Sequence, residues 1–164
     1  MTESDGALAP TGGQQDERRT LDLERYFPFL LTQLSNKLSS AASQLYMREF
    51  GVGVVEWRVL SGAAAAPGAR PNDICYMVGI DKGAVARAIR TLGERGLMTT
   101  EPGTEDGRSK TLHITEAGWA LHQQVLEVAL RREQVLLAPL SPADREKLLH
   151  YMRVLIAQLP SMRA

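Results

Sequence analysis

Residues 81–97 read DKGAVARAIRTLGERGL, and PNDICYMVG stands just before them at 71–79. Within 81–95, Val85, Ala88, Ile89 and Leu92 recur at three- and four-residue spacing, which stacks them along one helix face. Lys82, Gly83, Ala86, Arg87 and Arg90 fall on the other face, and its first half, with Gly83, Ala84 and Ala86, is small. Gly96 closes the helix, as a glycine just past a last turn does. The segment 71–78 starts at Pro71, carries Ile74, Met77 and Val78, and breaks at Gly79. Two short helices joined by a glycine turn read as a helix-turn-helix.

Towards the C-terminus, Leu97–Glu101 and Lys110–Ile114 read as short strands. The Pro, Gly and Asp between them make a loop rather than a two-residue hairpin turn, so the pair forms a small wing. Thr115 caps a helix with Leu121, Val125, Val128, Ala129, Val135 and Leu136 along one side. Ser141-Pro142-Ala143-Asp144 starts another, continued by Leu148, Met152, Leu155 and Leu159 and ended by Pro160.

Towards the N-terminus, Val55, Trp57, Val59 and Leu60 mark a helix that fades in the alanines before Pro67 and Gly68. Ahead of it, Leu31, Leu34, Leu38, Ala41, Ala42 and Leu45 mark a long amphipathic helix that Gly51 ends. Asp22 caps a short helical entry, which Pro28 interrupts or opens. The expected fold is therefore mainly α with a small β-wing, a winged helix-turn-helix. Its N- and C-terminal helices form a dimerisation platform, because apolar faces at both ends need a partner to bury them. The expected parts are a disordered tail over 1–20 and an N-terminal dimerisation helix over 21–50. The DNA-binding module covers 51–115, and the C-terminal dimerisation helices cover 116–164.

With 164 residues, 44% of them apolar, the chain can bury a real core. Its 19 basic and 19 acidic residues cancel, so any attraction to nucleic acid must be local. Residues 70–110 hold seven bases (Arg70, Lys82, Arg87, Arg90, Arg95, Arg108, Lys110) and six acids (Asp73, Asp81, Glu94, Glu101, Glu105, Asp106), so placement decides, not the sum. The single cysteine, Cys75, excludes an intrachain disulfide and fits a reducing cytoplasm. No apolar run is long enough to span a membrane, and the acidic start (Glu3, Asp5) is no secretory signal.

Small side chains at Gly83, Ala84 and Ala86 let the helix backbone approach base edges in a major groove. Arg87 or Arg90 can grip a guanine two-pronged or hold a phosphate, and the sequence leaves both roles open for each. Asn72, on the first helix of the motif, joins the DNA-contacting set. At the wing bend, Arg108 would enter a minor groove, with Asp106 orienting it and Ser109 and Lys110 on phosphates.

Tyr46, Phe50, Trp57 and Arg58 lie near the junction of the first long helix and the DNA-binding module. They offer the aromatic wall and cation that a phenolic ligand wants, although Trp57 and Arg58 could equally serve packing and a surface salt bridge. No nucleophile–base pair, glycine-rich phosphate loop or metal set is visible, so no enzyme, cofactor or metal is expected. His113, His122 and His150, nine and 28 residues apart, read as surface or pocket-edge histidines. Cys75 reads as a core thiol, with a redox response as the alternative, and Met47, Met77, Met98 and Met152 read as packing.

The runs EWRVL (56–60), DKGAVARAIRTLGERGL (81–97), EDGRS (105–109) and LHITEAG (112–118) resemble the multiple-antibiotic-resistance regulator (MarR) family over residues 28–158. The resemblance implies an obligate homodimer whose terminal helices interlock and whose two modules read the halves of a palindrome. It further implies repression of the protein's own and adjacent genes. Release by a small aromatic acid or phenol, bound between platform and reader, is also implied. The family often has serine where this chain has Ala86, which removes one polar DNA contact.

Overall fold

The structure, a computed structural model, describes residues 20–103 and 110–163. The expected disordered tail falls almost wholly outside the described residues, and Asp106, Arg108 and Ser109 of the wing tip lie outside them too. The elements are α1 (Phe27–Phe50), α2 (Val54–Ala65), α3 (Pro71–Val78), α4 (Lys82–Glu94), β1 (Met98–Pro102), β2 (Lys110–Ile114), α5 (Glu116–Leu137) and α6 (Pro142–Gln158). A 3₁₀ turn over Leu159–Arg163 carries the chain through Pro160. This is the mainly α fold with a two-stranded wing that the sequence predicts. Asp22 organises a turn rather than a helix: its carboxylate accepts from the Glu24 N–H at 3.1 Å and its carbonyl from the Tyr26 N–H at 2.9 Å. Pro28 then sits in the first turn of α1, where its missing N–H costs nothing.

The chain falls into two units, one ending at Leu38 and one beginning at Ser39. In the first, α1 exposes Phe27, Phe29, Leu30, Leu31 and Leu34. The second has two apolar clusters. One packs Val59, Leu60 and Ala63 of α2, Ile74 of α3 and Val85, Ala88 and Leu92 of α4 under Leu97 and, from the wing, Met98 and Leu112. Leu60, Ile74, Leu92 and Leu112 are fully buried, each stabilising the module by about 1.5–3 kcal/mol. The other joins Ala42 and Tyr46 of α1, Val52 and Val125 of α5, with Phe50, Trp57, Leu121 and Val128 packed on it. The far halves bury little: Leu130, Val135 and Leu136 of α5 are exposed, and α6 buries no residue while exposing Leu148, Leu149, Tyr151, Val154, Leu155 and Ile156.

Two glycines set the geometry of the module. Gly79 ends α3 with φ 65°, and its N–H donates to the Cys75 carbonyl at 3.0 Å, which turns the chain into α4. Gly118 lies buried in the first turn of α5, where a Cβ would overlap the Leu97 carbonyl, so only glycine lets α5 start so close to β1.

Candidate nucleic-acid interface

Asp81 starts α4: its Oδ1 accepts from the Ala84 N–H at 2.9 Å, a helix cap that fixes where the recognition face begins. The stripe Val85, Ala88 and Leu92 is buried and Ile89 half-buried. Lys82, Gly83, Ala86, Arg87 and Arg90 are exposed on the helix, and Ala84 is half-buried. Arg87 folds back along the helix, its Nη1 3.4 Å from where a Cβ at Gly83 would stand. Lys82 and Arg87 make no hydrogen bond or ion pair among the described residues. Arg90 Nε lies 3.9 Å from Glu94 Oε1, with both side chains more than two-thirds exposed, a weak i,i+4 pair. Asn72 is exposed on the first turn of α3, next to Asp73, whose carboxylate reaches back to accept from the Arg70 N–H at 3.1 Å.

The wing begins at Met98, one residue later than the sequence suggests, because Leu97 instead closes α4 by donating to the Leu92 carbonyl at 2.9 Å. The strands are antiparallel, Met98 facing Ile114 and Pro102 facing Lys110. Proline is tolerated at this strand end. Lys110 is exposed at the outer end of β2. Between α4 and the wing runs a mostly apolar cleft of about 410 Å³, whose polar rim includes Arg90, Thr100 and Lys110. His113 on β2 pairs with Thr111 Oγ1 at 2.9 Å and stands 3.8 Å from the Glu101 carboxylate.

The second constellation is the junction of α1, α2 and α5. Tyr46, buried, meets Trp57 edge-on at 6.2 Å and Phe50 at 6.5 Å between ring centres. Arg58 does not form a surface salt bridge: its Nη2 donates to Ser39 Oγ at 2.8 Å. His122 is not at the surface. It is 7% exposed, 5.1 Å from Trp57 and 5.5 Å from Trp119, and its Nδ1 has no hydrogen-bond partner among the described residues. Burial lowers its pKa from 6.5, so the ring is neutral at pH 7. Burial raises the Tyr46 phenol pKa, and the charge and hydrogen bond of Arg132 oppose that shift.

His122, Trp119 and Arg132 are absent from the sequence-based site. A signal existed: Gly118, His122 and Val125, spaced by four and three, are the buried stripe of α5, and half-buried Ala129 follows four residues on. His150 lies exposed on α6, and Cys75 packs half-buried against the module core. Among the described residues no three His, Cys, Asp or Glu side chains converge on a metal position.

Two helices joined by a glycine turn, the second exposing cations, followed by a two-stranded wing, define a winged helix-turn-helix protein. Residues 50–109 match the model of the MarR family. The fold of the rest agrees: a MarR/EmrR family transcriptional regulator from Acinetobacter sp. ADP1 superposes with a TM-score of 0.80 at 28% identity, covering 86% of this chain and 99% of that one. The chain is similar to MarR-family regulators in sequence over residues 50–109 and in fold over most of its length. It is also similar to the PcaV transcriptional regulator of Streptomyces coelicolor, solved with its natural ligand, at a TM-score of 0.70 and 25% identity, covering 84% of this chain and 96% of that one. The HTH-type transcriptional regulator PetP of Rhodobacter capsulatus is 30% identical over 98 residues, 59% of this chain. The matches span 60% and 57% of the length of the first two curated relatives. No helix among the described residues is long and apolar enough to cross a membrane.

Proposed function

We propose that the protein is a cytoplasmic, homodimeric DNA-binding transcriptional regulator that represses its own and adjacent genes from a palindromic operator. The observation that carries the reading is the free face of α4, where Lys82 and Arg87 flank Gly83 and Ala86 beside the wing. A helix so faced enters a major groove with its backbone close to the base edges. Ser109 and Lys110 hold phosphates, Arg108, oriented by Asp106, takes the neighbouring minor groove, and Asn72 joins the DNA-contacting set from α3.

The dimer reading is supported by the apolar side chains left exposed on the first half of α1 and along α6. A two-fold dimer reads a two-fold site, hence the palindrome. Leu155→Asp puts a charge into that surface and leaves a monomer, and sedimentation that still shows a dimer would overturn this interface.

The effector is a small aromatic acid or phenol received at Tyr46, Phe50, Trp57 and Arg58. The aromatic rings there, with the unpaired His122 Nδ1 among them, support the reading. The chain is not an enzyme in this proposal and uses no cofactor. Fluorescence anisotropy tests it: the purified protein is titrated into DNA from upstream of its own gene at several salt concentrations, with and without phenolic acids. Tight, salt-sensitive binding that a phenol reverses is expected, and equal binding to random DNA overturns autoregulation.

A further inference from the structure

The end of the recognition helix is tied to the end of α1 by one side chain. Arg95, the residue that caps α4, donates from Nη1 to the Gly51 carbonyl at 2.6 Å and from Nη2 to the Phe50 carbonyl at 3.4 Å. These carbonyls follow the last turn of α1, where the helix leaves acceptors unpaired and its dipole is negative, so a guanidinium is favoured there. Among the described residues no other hydrogen bond joins α1 to α4. Arg95 is itself anchored, its N–H donating to the Thr91 carbonyl at 3.2 Å. On the next residue, the Gly96 carbonyl accepts from Thr115 Oγ1 at 2.7 Å, at the start of α5. The end of α4 is thus bracketed by α1 and α5, the two helices whose Tyr46, Phe50 and Val125 build the aromatic junction.

We propose that Arg95 is a positioning residue: it transmits the packing state of the α1–α2–α5 junction to the recognition helix. Phe50 is the hinge of the argument, because its ring packs on the junction while its carbonyl faces Arg95. When the ring is displaced, the carbonyl moves, and the guanidinium either follows it with the end of α4 or lets go. The rigid alternative route is α2, which places Trp57 in the junction cluster and Val59 and Leu60 in the module core. For DNA binding the inference rests on the function proposed above; the mechanical link itself does not.

A double-mutant cycle on the full-length protein separates the routes. Phe50→Ala, or Phe50→Leu where the alanine variant does not fold, is made with Arg95 intact, with Arg95→Ala and with Arg95→Lys. The first readout is amide exchange at Gly96 and Leu97, whose N–H groups close the end of α4 on the Gly93 and Leu92 carbonyls, both at 2.9 Å. The second is affinity for a duplex selected from a random pool. With Arg95 present, the Phe50 substitution speeds exchange and weakens DNA binding by about fivefold or more, and with Arg95→Ala by less than about twofold. Arg95→Lys, which keeps the charge and one donor, restores part of the effect. An equal Phe50 effect in both backgrounds assigns the coupling to α2 and overturns the proposal, as does no effect in either. If exchange follows the expected pattern but no duplex is bound, the DNA reading falls and the Arg95 link stands. If DNA is bound but the cycle shows no coupling, the link alone falls.

Discussion

Arg87 and Arg90 stand one turn apart on the same exposed face, yet the structure gives them different starting points. Arg90 is engaged with Glu94, though at 3.9 Å and in the less favourable order, basic residue first. Such a pair is worth about 0.3–0.5 kcal/mol, so releasing Arg90 alters affinity by no more than about twofold. Among the described residues Arg87 has no such partner. It lies over Gly83 on the half of the helix where small side chains admit close approach to the bases. The prediction is that Arg87 reads a base and Arg90 holds a phosphate.

A two-pronged arginine–guanine contact is worth about 1–3 kcal/mol of discrimination, which converts to about 5- to 150-fold. Arg87→Ala therefore lowers affinity for the preferred duplex by that factor and compresses the ratio of preferred to random DNA with it. Arg90→Ala lowers both affinities together and reduces the slope of log affinity against log salt by about 0.9. Anisotropy titrations of both variants on both duplexes, across a salt series, measure every term. If Arg87→Ala weakens preferred and random DNA equally, Arg87 is a phosphate contact and the reasoning from its free side chain is refuted.

Other substitutions probe the scaffold. Gly118→Ala pushes a methyl into the Leu97 carbonyl and costs about 1–3 kcal/mol in urea unfolding; an unchanged midpoint would mean that α5 and β1 are farther apart than described. Asp81→Ala removes the cap of α4 for about 1 kcal/mol, and Asp81→Asn retains most of the stability, because either side chain accepts from the Ala84 N–H. His122 is neutral when buried and its pKa is depressed below 6.5, so the unfolded chain binds the proton more readily. Its contribution is complete above pH 6.5 and is lost as pH falls below that value. His122→Phe should flatten the stability profile between pH 7 and 5, and parallel profiles for the two proteins would show that another group titrates there.

The module was legible because local rules and packing agree in it. The Val85–Leu92 stripe, Pro71 at a helix start, Gly79 at a turn and Thr115 as a cap each act within a few residues, and each stands where the sequence puts it. What was not legible depends on partners far along the chain. His122 reads as a surface or pocket-edge histidine because periodicity marks which face is buried but not that two tryptophans, one of them 65 residues away, pack against it. Arg95 looked like one more base in a charge count, and its acceptors are carbonyls 44 and 45 residues away, which no side-chain pattern announces. Arg58 was readable as a cation but not as a donor to Ser39, for the same reason.

The same distinction resolves the near-cancelling charge of residues 70–110. Seven bases against six acids would make a poor magnet for DNA if all were equally free. They are not. Asp73 and Asp81 point their carboxylates at helix N-termini, where backbone N–H groups and the positive end of the dipole offset their charge. Glu94 lies at the far end of α4 beside Arg90, and Arg95 is turned away to α1. Lys82 and Arg87 remain on the first two turns of α4 without a counter-charge among the described residues. On α4, among the described residues, the positive charge without a partner is therefore on the half of the helix with the smallest side chains. A module so arranged attracts random DNA weakly, because several of its charges are already engaged. It gains on its preferred site through the contacts that Lys82 and Arg87 can make at close range. This predicts a clear salt dependence of only a few phosphate contacts joined to a large ratio between preferred and random duplexes. The opposite combination, a steep slope with little discrimination, would mean that the balanced charge of the module conceals a larger basic surface than α4 provides.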